Sequence, residues 1–313
     1  MKSFSILTTA LHIVAATTPA ATSNNIYSSP AIKVDVYHAP SILVQYQGST
    51  NLSFSPTAYT LIQTQHEALL VDAPVLNTTA ADIAAWISRT APGKKLKYIY
   101  ITHGHFDHFG AFPTILEHFP EAKVVARKEV IERMKGQLEP AVFDTFWATL
   151  FPGLLHKPDL SVVSALPDSG QVFLEDKYEL RSIFIGNSDT ADSTVLHVPS
   201  IRLVVGGDVV YGHMHQYLAE DAAPSLRSEW IAGLERVKAL RPRMVVPSHM
   251  QSTEGYGAWH LDETQRYIER YDEFLEKARS WEELEGLAKR VFPERDGTFI
   301  LRYTAQAFFN ATS

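Results

Sequence analysis

The stretch THGHFDHFG, residues 102–110, decides the reading of this chain. It puts His103, His105, Asp107 and His108 within six positions. They fall between KLKYIYI, which reads as a strand, and AFPTILEHF, which reads as a helix. In extended backbone, residues two apart face the same way, so the imidazoles of His103 and His105 converge on one metal ion. Asp107 and His108 follow in the turn, within reach of a second ion. Imidazole with carboxylate suits zinc, iron or manganese, with zinc the usual ion for hydrolysis. A polar surface turn is the bland alternative, and four donors in six positions argue against it.

On the N-terminal side, ILVQYQ, AYTLIQTQ and HEALLVDAP read as successive strands, with NLSFSPT as a turn and residues 24–40 as a tail leading into a first strand. DIAAWISRT reads as a helix, and AKVVARKEV as a short strand running into another. QVFLEDKYELRSIFI, STVLHVP and IRLVVGGDVVY resume the strands. LRSEWIAGLERVKAL and HLDETQRYIERYDEFLEKARSWEELEGLAKRV carry apolar residues at helical spacing, as expected of helices covering a sheet. The alternation fits a layered α/β or an α+β αββα architecture better than an all-β sandwich, and one continuous domain over residues 32–313 is the preferred division. Residues 136–165 interrupt it with an aromatic, proline-broken run that reads as a mostly helical insertion. Phe143, Phe146, Trp147 and Phe151 recur there at helix-face spacing, which suits core packing, an apolar substrate wall, or both.

The chain has 313 residues, a formal net charge of −7, 45 % hydrophobic residues and no cysteine. Such a composition fits a folded domain with a sizeable core. It excludes thiolate ligands and thiol nucleophiles, and offers no basic block for nucleic acid. No apolar run is long enough to span a membrane. MKSFSILTTALHIVAATTPA, with Lys2 before an apolar stretch and small residues, reads as a secretory signal over residues 1–22. Acceptor sequons at Asn51, Asn77 and Asn310 agree with a secreted glycoprotein.

The histidine-aspartate run resembles the signature of the metallo-β-lactamase superfamily, and three further segments resemble that family in its order. IRLVVGGDVVY resembles the strand whose aspartate, here Asp208, bridges two metals. VVPSHM resembles the strand delivering the last histidine, His249. LLVDAP resembles the segment whose aspartate, Asp72, supports the metal loop. The resemblance spans residues 60–250 and implies a four-layer αββα sandwich. It also implies one or two Zn2+ ions, Mn2+ or Fe2+ being possible, with a second donor set of Asp107, His108, Asp208 and His249.

By the same resemblance, GNSDTADSTVLHVP aligns with a segment beginning glycine-histidine, and Asn187 stands where a third histidine would complete the first set. An amide oxygen is a weak zinc ligand beside neutral imidazole. Four readings stay open: two metals with an unusual ligand, the second metal alone, replacement by a neighbour such as Asp189, or a non-catalytic descendant. His213 and His215 are candidates for the rim. Tyr211, three residues past Asp208, resembles a tyrosine of lactone-cleaving relatives and would donate to a developing oxyanion. Asp107 would orient the attacking water or take its proton. The expectation is a metal-dependent hydrolase of a small apolar ester or lactone, acting through a metal-bound hydroxide. The alternatives are a β-lactam or thioester hydrolase, or a secreted binding protein with a degraded site.

Overall fold

The computed structural model describes residues 20–310. Residues 1–19, most of the expected signal, lie outside the described residues, as do 311–313.

The chain opens with β1 (Thr22–Ser28) and β2 (Lys33–Ala39), then a hairpin of β3 (Ile42–Tyr46) and β4 (Ser49–Phe54). It continues through β5 (Thr57–Gln63), β6 (Glu67–Val71), helix α1 (Asn77–Thr90), β7 (Lys95–Tyr100), α2 (Phe112–His118), β8 (Lys123–Ala126) and α3 (Lys128–Leu138). Two single turns, α4 (Pro140–Val142) and α5 (Ala148–Leu150), flank a π-helical segment at Phe143–Trp147, and β9 (Val163–Ala165) follows. The second half holds β10 (Gln171–Leu174), β11 (Tyr178–Gly186), β12 (Ser193–Val198), β13 (Leu203–Val205), α6 (Pro224–Ala239) and β14 (Met244–Val246). Three helices end it: α7 (Trp259–Lys277), α8 (Trp281–Val291) and α9 (Thr298–Asn310).

The strands form a seven-stranded sheet in the order β1-β2-β5-β6-β7-β8-β9 and a five-stranded sheet in the order β10-β11-β12-β13-β14. Side chains alternate across each strand, and the core sorts by that alternation. Ile62, Leu69 and Tyr100 of the first sheet pack with Leu196, Val205 and Val246 of the second. Their neighbours Leu61, Leu70 and Ile99 pack outward against Ile83 and Trp86 of α1 and Ile115 of α2. Val195, Val204 and Val245 pack outward against Trp230 and Leu234 of α6 and Ile268 of α7. Three interfaces between four layers make this an αββα sandwich. Each fully buried aliphatic side chain contributes about 1.5–3 kcal/mol.

Several local expectations need correction. Residues 22–28 are an edge strand paired with β2, not a tail. NLSFSPT supplies β4, paired with β3, where a turn is expected. Within 136–165, α-helix ends at Leu150, a single 3-10 turn follows at Leu160–Val162, and residues 163–165 add a parallel edge strand beside β8. The long C-terminal helical pattern is two helices, because Ser280 caps α8 by accepting a hydrogen bond from the Glu283 amide.

Parallel pairing of β6 with β7 and of β13 with β14 brings their carboxyl ends to a common edge within each sheet. The sheets are tied together there, since the Thr194 amide donates to the Thr102 carbonyl at 3.1 Å and the Ala58 amide to the Ser248 carbonyl at 2.6 Å. At that edge the loops carry ligand-type side chains.

Candidate metal centre and its cavity

His103 and His105 leave the end of β7, and Asp107 and His108 sit on the single 3-10 turn that follows. Asp208 sits on the turn after β13, and His249 on the loop after β14. All six converge, are buried, and come from both sheets. Asp208 lies at the middle. Its carboxylate oxygens stand 3.4 Å from His108 Nε2, 3.2 Å from His249 Nε2 and 3.9 Å from His103 Nε2. Asp107 Oδ2 stands 3.4 Å from both His108 Nε2 and His249 Nε2.

The fourth member on the first side is Asp189. His103, His105, Asp189 and Asp208 form one group with converging donor atoms, and Asp107, His108 and His249 form another. Asp189 Oδ2 is 3.1 Å from His105 Nδ1 and 3.9 Å from His103 Nε2. Asn187 turns elsewhere. Its amide nitrogen donates to Asp221 Oδ1 at 2.6 Å, to the Ser188 carbonyl at 3.2 Å and to the Leu226 carbonyl at 3.3 Å. Asp189, and not Asn187, has a carboxylate that converges with His103, His105 and Asp208.

The donor atoms fit an ion better than they fit one another. His103 Nε2, His108 Nε2, both Asp189 carboxylate oxygens and Asp208 Oδ1 are buried without a hydrogen-bond partner. Leaving a buried polar group unpaired costs about 1–3 kcal/mol, more for a charge. A divalent cation among these atoms removes that cost.

Each imidazole is held by its other nitrogen. His103 Nδ1 meets Thr102 Oγ1 at 3.0 Å, His108 Nδ1 meets Asp72 Oδ2 at 3.1 Å, and His249 Nδ1 meets the Pro56 carbonyl at 3.1 Å. His105 is turned the opposite way, with Nε2 at 3.0 Å from Glu220 Oε1. Asp72 also accepts from the Thr102 amide and hydroxyl, at 2.8 and 2.9 Å. Its φ of +62° lets the carboxylate turn under the loop, a conformation aspartate tolerates better than most residues.

The local field is strongly negative. Burial alone would lower the His249 imidazole, but Asp208 and Asp107 outweigh it and hold it up to about 10. Burial is likewise outweighed at His105 by Asp189 and Glu220, which raise it well above the ordinary imidazole value. Burial, opposed by His105 and aided by Asp208, pushes the Asp189 carboxyl up to about 6. A field that favours imidazolium also favours a bound cation.

A cavity of about 350 Å³ opens beside this cluster. His105, Asp107, Asp189, Asp208, Tyr211 and His249 form its floor. Phe146 and Trp147 of the insertion line it, together with Phe54, Ile300 and Tyr303. Phe143 lies behind that wall, its ring 5.2 Å from Phe106, and Phe151 packs on Phe54 at 5.7 Å. Tyr211 donates its hydroxyl to Asp208 Oδ2 at 3.0 Å. Neither rim candidate reaches the cavity: His215 is buried against the Tyr267 hydroxyl at 3.0 Å, and His213 lies beside Glu254. Sequence reasoning missed Glu220, Tyr217 and the contribution of α9 to the wall. Nothing at the level of motif marks them, because they reach the site only through the fold.

Known proteins agree with this architecture. The chain is 34 % identical over 120 residues to a probable metallo-hydrolase, YflN, of Bacillus subtilis, a match covering 36 % of this chain and 45 % of that protein. The chain therefore spans less than half the length of that curated relative. A metallo-beta-lactamase from Pontibacter korlensis superposes with a TM-score of 0.56 at 18 % identity, over 79 % of this chain and 99 % of that one. FIM-1 from Pseudomonas aeruginosa, in its mono-zinc form, superposes with a TM-score of 0.53 at 15 % identity, over 79 % and 95 %. At these identities the two structures speak for the fold alone. The family described as the metallo-beta-lactamase superfamily matches residues 52–249, well over half of the sequence and every donor placed above, so the chain belongs to that superfamily.

Proposed function

We propose that this metallo-hydrolase cleaves a small, neutral, largely apolar ester or lactone, with two zinc ions held by the two donor groups. The observation that carries the reading is the cavity. Donors for a cation lie on one side and an aromatic wall on the other, and among the described residues no lysine or arginine lines it. Apart from the bound ions, an anionic substrate would find no lysine or arginine to pair with there and would face Glu220 and three aspartates. A neutral substrate with an apolar chain gains by burying that chain, at about 25 cal/mol per Å².

His103, His105, Asp189 and Asp208 would hold one ion. Asp107, His108 and His249, with Asp208 shared, would hold the other. Divalent ions so held supply an acidified water and a polarised carbonyl. The chain's own groups do the rest. Asp107 and Asp208 flank the floor of the cavity and are placed to orient that water and take its proton. Tyr211, its hydroxyl beside Asp208, can turn its donor to the oxyanion that forms as water adds to the carbonyl carbon. The single bond between that carbon and the alkoxy oxygen then breaks, and the proton taken from water passes from the aspartate to the departing alkoxide, giving an acid and an alcohol, or one hydroxy acid from a lactone. Phe146, Trp147 and Tyr303 exclude bulk water and hold the apolar chain.

We also propose export. Asn51 and Asn77 are exposed, as glycan acceptors must be. Mass analysis of the mature N-terminus and of those two asparagines tests this, and a retained Met1 would overturn it.

Elemental analysis followed by assay against alkyl esters, lactones and anionic β-lactams tests the main reading. Two zinc equivalents per chain, with turnover of neutral esters or lactones that a chelator abolishes, is the expected result. Turnover confined to anionic substrates would overturn it.

A further inference from the structure

His105 differs from the other three imidazoles of the cluster. His103, His108 and His249 turn Nε2 toward the centre, and Thr102, Asp72 and the Pro56 carbonyl hold Nδ1. His105 turns Nδ1 toward Asp189, so its proton-bearing Nε2 points along the cavity wall. There it meets Glu220 Oε1 at 3.0 Å. Glu220 is itself fixed, because Thr190 Oγ1 donates to its second oxygen at 2.7 Å. Thr190 is the residue after Asp189, so one carboxylate ties His105 to the loop that carries the neighbouring donor. The Tyr217 ring stands edge-on to His105 at 5.2 Å and closes the remaining side of the imidazole.

We infer that Glu220 is a positioning residue of the first metal centre. It fixes the His105 tautomer with the proton on Nε2, leaves the Nδ1 lone pair for the ion, and strengthens that lone pair through a charge-assisted hydrogen bond. A carboxylate behind a ligating imidazole fixes ring orientation and raises donor strength, and loss of such a partner typically weakens metal binding by about 10–100-fold. Each centre then has one imidazole backed by a carboxylate: His108 by Asp72, and His105 by Glu220. The two carboxylates reach the site by different routes. Asp72 belongs to the buried strand end after β6. Glu220 sits on the loop leading to α6, and its side chain keeps 42 % of its exposure. The inference rests on reading the cluster as a metal centre.

The test is metal competition on the full chain, stripped and reloaded with zinc or cobalt, in the unmodified protein and in Glu220→Ala and Glu220→Gln. The unmodified protein should take up two ions. Glu220→Ala should hold one of them about 10–100-fold more weakly, leave the other unchanged, and alter the cobalt absorption of the weakened centre. Glu220→Gln, whose amide oxygen can still accept from Nε2, should recover part of the loss. The melting temperature of the metal-free protein should stay close to that of the unmodified chain. Unchanged affinity for both ions in Glu220→Ala would overturn the inference. So would equal weakening of both ions with a lower metal-free melting temperature, which would mark a merely structural role. If the unmodified protein took up no ion, the metal-centre reading itself would fall, a result separable from either of these.

Discussion

Asn187 and Asp189 lie two residues apart on one loop and serve different neighbours. Asn187 spends its amide hydrogens on Asp221 and two carbonyls, while Asp189 presents bare carboxylate oxygens to His103 and His105. Replacing Asn187 with histidine should therefore not tighten metal binding. Replacing it with alanine strips a partner from the buried Asp221 carboxyl and should cost about 1–3 kcal/mol in denaturant unfolding, with metal content unchanged. Asp221 carries a prediction of its own. Burial, opposed by Asn187 and aided by Asp189 and Glu220, pushes its carboxyl up to about 8. An unfolded aspartate ionises near 3.9, so between roughly pH 4 and 8 the folded state keeps a proton that the unfolded state has lost. This contribution to stability is complete below pH 4 and is lost as pH rises through 8, by at most about 1.4 kcal/mol per pH unit. Asp221→Asn removes that dependence. Its melting temperature relative to the unmodified chain should rise steadily from pH 5 to 8, and a constant difference would refute the assignment. At this scale much was legible, since THGHFDHFG, the aspartate of GGD and the histidine of VVPSHM hold their donors on adjacent or alternate positions. The third donor of the first set was legible only as one of four open readings, with Asp189 offered as a replacement for Asn187. Spacing from Gly186 does not tell which of the two side chains turns inward: in the loop after β11 Asn187 faces Asp221 and Asp189 faces His103 and His105.

Among the elements, the 136–165 insertion and α9 act together. Phe146 lies against Trp147 at 5.0 Å and Tyr303 at 4.9 Å, so the wall is a joint surface of two segments far apart in sequence. Phe146→Ala should raise KM for long-chain esters or lactones by about tenfold, from the loss of about 1–2 kcal/mol of apolar burial, and leave short acetates nearly unaffected. Equal effects on both would take Phe146 out of the substrate wall. The aromatic spacing made the insertion visible in the sequence. The partnership with α9 was not visible, because helical periodicity says which face is buried and not what it is buried against. β4 was misread for a related reason. Its serines and asparagine resemble turn chemistry, yet Leu52 and Phe54 bury one face of a hairpin strand.

Over the whole molecule, the cluster joins the two sheets. His103, His105, Asp107 and His108 follow the first sheet, whereas Asp189, Asp208 and His249 follow strands of the second. Bound ions would cross-link the halves and neutralise three buried aspartates. Stripping them should lower the melting temperature, and free metal at a hundredfold excess over Kd should restore about 2.7 kcal/mol. A melting temperature indifferent to chelator would argue against that cross-link. The layered architecture was legible because strand and helix patterns alternate along the chain. Asp189, rather than Asn187, is expected to complete the cluster. The most direct measurement is the metal content of Asp189→Ala beside Asn187→Ala, each purified folded and analysed for zinc per chain. The expected result is the loss of one of two equivalents in Asp189→Ala and retention of both in Asn187→Ala. Retention of both in Asp189→Ala, with loss in Asn187→Ala, would contradict it.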